Sequence, residues 1–257
     1  MQSTLFTIGH STHAVPYFIE LLRRHGITAL CDVRSQPYSR VNPQFNRESL
    51  KDSLKKVGIA YVFLGAELGA RTADKSCYEN GRVKYERIAR TAMFARGLDR
   101  IEDGLSKYRV SLMCAEREPL DCHRTILVAK QVEERGILVS HIHADGSLET
   151  NVHAISRLIR FLSLPDMFLP QADLVAEAYR LQEEKIAYTS PERLGHFPFY
   201  CRPYLQCLNQ DFALSAEMSL SASAMAWSSA SLERALAARS SCLSLAQAFS
   251  IGFRSGE

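Results

Sequence analysis

Three helical stretches in this chain end in the same way. RRHGI (23–27), KKVGI (55–59) and EERGI (133–137) each place basic or polar residues in a last helical turn, then glycine, then isoleucine. Glycine at that position takes the left-handed conformation that closes a helix, and the isoleucine opens a strand. One junction used three times predicts repeated helix-to-strand units. Strand-like runs fall at 5–9 (LFTIG), 28–33 (TALCDV), 60–64 (AYVFL), 110–114 (VSLMC) and 137–141 (ILVSH). Amphipathic stretches at 17–25, 47–57, 83–105 and 124–135 lie between them. Short links between alternating strands and helices predict an α/β fold: a three-layer open parallel sheet of about five strands with helices on both faces. The expected strand order is 3-2-1-4-5, with the first and fourth runs as neighbours. C-terminal helices are expected at 152–163 and 172–185, separated by Pro165 and Pro170.

The expected domain is 1–189. Residues 190–257 form a serine- and alanine-rich extension whose composition buries little and predicts poor order. The formal net charge of +3 is too small to indicate nucleic acid by itself. No apolar run is long enough to span a membrane, and the N-terminus lacks a signal-peptide pattern. Seven cysteines without regular spacing fit reduced thiols better than a disulfide framework, so a cytoplasmic location is expected. Cys31, inside the second strand, reads as core, and His25 as a partner for a helix C-terminus.

In open parallel sheets ligands bind beyond the carboxyl ends of the strands. Each strand end here runs into a polar or glycine-rich loop: His10-Ser11, Arg34 to Arg40, Gly69 to Arg71, Cys114 to Arg124, and His141 to Gly146. Arg34, Arg40, Arg71, Arg117 and Arg124 suit bidentate capture of phosphate or carboxylate, and Ser11 can donate to the same anion. Cys122 precedes a helix, whose dipole and nearby arginines favour its thiolate. Cys114, Cys122, His10, Glu116 and His123 are therefore the candidate catalytic residues.

A metal competes for the same edge, since Cys114, Cys122, His123, His10, His13, His141 and His143 offer ligands. No CxxC pair supports it, and no metal is assigned from the sequence. A phosphatase loop fails because Cys114 and Arg124 bracket nine residues, not five. "DVR" resembles rhodanese-like domains, but the short glycine-containing loop that should start at the cysteine is missing.

TIGHST, DVRSQPYSR, PQFN, LGAELGAR, GRVKYE, LMCAEREPLDCHR and HIHADG occur in one order between about residues 5 and 188. In this the chain resembles the DUF488 family, whose function is uncharacterised. The resemblance places motif positions at His10, Ser11, Asp32, Arg34, Arg40, Gly69, Arg71, Cys114, Glu116, Cys122, His123 and Arg124. Ala66 and Ala70 stand where glycines are expected, which would weaken any position needing a positive φ. The expected function is an enzyme, hydrolase or transferase, with a thiolate nucleophile and a phosphorylated small molecule or nucleotide as substrate. The alternatives are a non-catalytic nucleotide or nucleic-acid binding module and a Cys/His metal-site protein. No cofactor is named by these residues.

Overall fold

The computed structural model describes residues 4–164 and 170–190. Its main sheet contains β1 (Thr4–Gly9), β2 (Ala29–Asp32), β3 (Ala60–Phe63), β6 (Val110–Cys114), β7 (Leu138–Ile142) and β8 (Leu148–Thr150), ordered β3-β2-β6-β1-β7-β8. All neighbours are parallel except β8, which turns back on β7. A small hairpin, β4 (Tyr78–Glu79) and β5 (Arg82–Val83), stands apart from this sheet.

Two apolar layers enclose the sheet. Helices α1 (Val15–Arg24) and α2 (Arg47–Lys55) cover one face, where Phe18, Leu21, Leu22, Leu50 and Leu54 pack on Phe6, Ile8, Leu30 and Met113. The other face carries α5 (Ala92–Leu105), a π-helical segment (Arg124–Ala129) continuing into α6 (Lys130–Glu134), α7 (Asn151–Phe161) and α8 (Gln171–Ile186). Two short helices, α3 (Gly65–Leu68) and α4 (Tyr85–Ala89), lead from β3 towards α5. The three glycines of the repeated junction have φ of 64° (Gly26), 77° (Gly58) and 80° (Gly136), the left-handed values inferred for them. Among the described residues no helix is long and apolar enough to cross a membrane.

The order 3-2-1-4-5 is corrected to 3-2-4-1-5 for the five expected strands, with β8 added as a sixth. The first and fourth are neighbours as expected, Gly9 lying opposite Cys114. However, β6 enters between β1 and β2. The two crossovers use opposite faces: α1 carries the chain from β1 to β2 over one, and α5 returns it from β3 to β6 over the other. The single helix expected at 83–105 is divided, because Thr91 caps a new helix by accepting from the Phe94 N–H at 3.1 Å. Cys31 is buried in the core, which pushes its thiol up to about 12. His25 joins its helix end to the β7–β8 turn through Nε2 and the Gly146 carbonyl, 2.9 Å apart. The expectations for residues 191–257 lie outside the described residues.

Candidate functional site

The ends of β2 and β6 meet at a cleft of about 330 Å³. Its lining includes Arg34, Arg71, Tyr85, Cys114, Glu116 and His123. It opens on the β2 side of β6, whereas the expected crevice lay between the first and fourth strands.

Cys114 is the last residue of β6, and Cys122 and His123 come eight and nine residues later at the entry to the π-helical segment. Gly9 on the neighbouring strand allows the intervening loop to return across the sheet, since a Cβ there would stand 1.9 Å from the Glu116 carbonyl oxygen. His10 and Ser11 then tie this loop to β1, their N–H groups donating to the carbonyls of Cys114 and Ala115 at 2.9 Å each.

Three donor atoms converge at the cleft floor. His123 Nδ1 lies 3.7 Å from Cys114 Sγ and 3.9 Å from Cys122 Sγ, and all three lie within 4.8 Å of one another. His123 Nε2 is 3.0 Å from the Val33 carbonyl. A carbonyl only accepts, so the proton is on Nε2 and the Nδ1 edge faces the sulfurs. Cys122 Sγ and Glu116 Oε2 lie 3.0 Å apart and share a proton.

The two thiols are pushed in opposite directions. Burial, the hydrogen bond with Cys122 and the charge on Cys122 raise the Cys114 thiol well above the usual range. Burial would raise Cys122 too, but the Cys114 hydrogen bond, Arg124 and His123 outweigh it and hold Cys122 well below that range. His123 is raised despite burial, through its contact with Cys122, and Glu116 is raised by its crowded surroundings and the Cys122 charge. The sulfur lining the cleft is therefore the one pushed up, while the one held down, Cys122, is enclosed and only 1% exposed.

The arginines separate into three groups. Arg34 donates to both Asp32 oxygens, Nε to Oδ1 at 2.9 Å and Nη2 to Oδ2 at 2.7 Å, and Nη2 also to the Phe45 carbonyl at 2.8 Å. Arg124 is fully buried and holds the loop from inside, donating to the Glu116 carbonyl at 2.7 Å and the Arg117 carbonyl at 3.3 Å. Its own N–H points at Cys122 Sγ, 3.5 Å away, so this helix entry is occupied by the chain's own sulfur. Arg71 is exposed at the cleft, its guanidinium 4.7 Å above the Tyr188 ring. Arg40 is also exposed, and Arg117 lines a separate depression with His143 and Asp145.

His10 serves Arg34 rather than the sulfurs. Its Nδ1 donates to the Ser11 carbonyl at 2.8 Å, its Nε2 faces Arg34 Nη1 at 3.2 Å, and its ring stacks on Phe45. Burial lowers its pKa to about 4, so the ring is neutral and accepts from the guanidinium. Ser11 sits half-buried with φ of 48°. Of the other metal-ligand candidates, His13 packs edgewise on Tyr17, His141 bonds Thr7 and Asn151, and His143 pairs with Glu149. The aromatic wall, Tyr85 and Tyr188, was missed among the site candidates, although Tyr85 lies in the GRVKYE motif.

The family model described as Domain of unknown function DUF488 matches residues 14–130, a span containing every donor of the cleft floor. No curated protein and no solved structure matches the chain.

Proposed function

We propose that this DUF488 domain is an enzyme, a hydrolase or transferase, that takes a phosphorylated small molecule or nucleotide into the cleft between the ends of β2 and β6. One observation carries the reading: the cleft joins a reactive floor of Cys114, Glu116 and His123 to an open guanidinium, Arg71. The Tyr188 ring holds the guanidinium 4.7 Å above it, and its N–H groups can meet an anion in the cleft. Arg34 adds positive charge at the wall, although its hydrogen bonds to Asp32 mainly fix the wall in place.

The floor supplies the nucleophile and Glu116 the proton transfer, because its carboxyl lies beside the sulfurs and burial raises its pKa above the usual carboxylate range. A bare floor offers the Cys114 sulfur, which must pass its proton to Cys122 as it attacks an electrophilic carbon or phosphorus. Glu116 then protonates the leaving group, and water releases the product from the sulfur.

Titration with inorganic phosphate and adenosine monophosphate tests the anion contact. Arg71→Ala should weaken binding roughly tenfold or more, because one charge-assisted contact contributes about 1.5–3 kcal/mol. Equal affinity in both proteins would remove Arg71 from the site. Turnover in a pool of phosphorylated metabolites tests the enzyme reading, with Glu116→Gln expected to keep binding and lose turnover. Binding by the native protein without any turnover would favour a non-catalytic module.

A further inference from the structure

The floor brings two sulfurs and one imidazole nitrogen within 4.8 Å of one another at the base of an open cleft, the donor set of a metal site. We propose that Cys114, Cys122 and His123 bind a zinc-class divalent cation whose fourth position opens on the cleft. The inference rests on the reading of the cleft for its chemistry, while the ion binding stands on its own geometry.

Spacing is the first argument. With metal–sulfur bonds of about 2.3 Å and a metal–nitrogen bond of about 2.0 Å, tetrahedral coordination has sulfur–nitrogen edges of about 3.5 Å. The two edges here are 3.7 and 3.9 Å. An ion can therefore be met along these two edges with shifts of a few tenths of an ångström, and the third edge, between the sulfurs, lies within 4.8 Å. Two sulfurs and an imidazole select a zinc-class ion over magnesium or calcium, which prefer oxygen.

Orientation is the second. The Val33 carbonyl fixes the proton on His123 Nε2 and presents Nδ1 to the sulfurs, the outer contact that orients a metal-binding imidazole. The Arg124 backbone N–H, 3.5 Å from Cys122 Sγ, supports a ligand thiolate in the same way. The buried Arg124 guanidinium fixes the carbonyls of Glu116 and Arg117, and with them the loop joining the two cysteines.

The open position is the third. Cys114 and His123 line the cleft, and Glu116 lies beside them with Oε2 3.0 Å from Cys122 Sγ. Three protein ligands with a neighbouring carboxylate form the pattern of a catalytic rather than a structural zinc. Both sulfurs coordinate as thiolates, so any proton they carry is released on binding. A water at the fourth position gives a proton to Glu116 and attacks the electrophilic carbon or phosphorus. The departing group takes the bond's electron pair and that same proton, so the sum is hydrolysis by one water with no oxidant or reductant.

The test uses the full chain, stripped with a chelator under a thiol-free reductant and titrated with zinc alone against a competing chromophoric chelator. Cys201, Cys207 and Cys242 could also take metal, so the readout is the equivalent lost on substitution. The native protein should bind one equivalent that Cys122→Ser and His123→Gln each weaken by about 100-fold or more, while Cys77→Ser, at a buried thiol outside the cluster, leaves it unchanged. Cobalt(II) in place of zinc should give thiolate charge-transfer bands and tetrahedral d–d absorption that Cys122→Ser abolishes. Should those variants fail to fold, the native protein decides: one zinc should protect two thiols from alkylation, identified as Cys114 and Cys122 by peptide mapping. No bound equivalent, equal binding in a folded Cys122→Ser, or protection mapped to other cysteines would overturn the proposal. None of these readouts uses a substrate, so a cleft that binds no anion and a floor that binds no metal give different results.

Discussion

Asp32 and Arg34, two residues apart at the end of β2, hold each other through two side-chain hydrogen bonds where neither side chain is more than 6% exposed. The Tyr61 hydroxyl also donates to Asp32, and the Phe45 carbonyl accepts from Arg34. Breaking such a pair from one side leaves a buried charge without its partner. Asp32→Asn should therefore cost about 3–5 kcal/mol of stability. Asp32→Asn combined with Arg34→Gln should cost less than the sum of the single changes. Urea denaturation of the three variants measures this, and strictly additive costs would argue against the coupling.

Gly65 and Ala66 should tolerate exchange between glycine and alanine to very different degrees. A Cβ on Gly65 would lie 2.0 Å from the Arg34 carbonyl oxygen, against backbone that cannot turn aside. Gly65→Ala should destabilise by about 1–3 kcal/mol and disturb the cleft wall at Arg34. Ala66 is exposed in α3 and Ala70 is buried, and neither has a positive φ. Ala66→Gly should cost no more than about 1 kcal/mol. Thermal melts would rank them, and equal shifts would contradict the packing argument.

His141 makes the fold acid-sensitive. Burial first, and then Arg124 and His143, lower its pKa from 6.5 to about 4, against support from Asn151 and Glu149. Between those values the unfolded chain binds a proton that the folded chain does not. The neutral ring's contribution is complete above about pH 6.5 and is lost as pH falls towards 4, by up to about 1.4 kcal/mol per pH unit. His141→Gln should flatten the fall in denaturation midpoint over that range. Parallel pH profiles for the two proteins would assign the acid sensitivity elsewhere.

A chain ending at Ser190 should fold. The last described backbone contacts are those of Val83 with Tyr188 and of Ser190 with Gly81, which fasten this end to the β4–β5 hairpin. Removing residues 191–257 should leave the melting temperature within a few degrees. Loss of soluble protein would mean that the domain extends past Ser190.

The junction glycines made the strands and their carboxyl-end loops legible, because a left-handed residue after a helix is a local requirement. Strand order was not, because a helix's period tells which face it buries and not how far it carries the chain. The 46 residues between β3 and β6 pass through two short helices, a hairpin and α5 before β6 enters between strands already placed. The arginines were legible as a cluster, but Arg34 and Arg124 turn inward. The sign for Arg34 was present: residues two apart on a strand share a face, so Asp32 was already its neighbour. For Arg124 it was the unbroken apolar run from Ile126 to Ala129, which marks a helix buried on every side. Cys114, Glu116 and His123, read together from the sequence, line one opening, while the convergence of three of the seven histidine and cysteine ligand candidates on a single point depended on side-chain placement.

The entry of β6 between β1 and β2 bears on how this domain can be cut. The matched span, 14–130, leaves out β1 and β7. In such a fragment β6 keeps β2 on one side but loses β1 on the other, becoming a bare edge of open N–H and C=O groups. Exposed edges of apolar strands recruit other strands, and this one ends at the reactive sulfurs. A 14–130 fragment is therefore expected to self-associate through the strand that carries Cys114, whereas 4–190 keeps that strand enclosed.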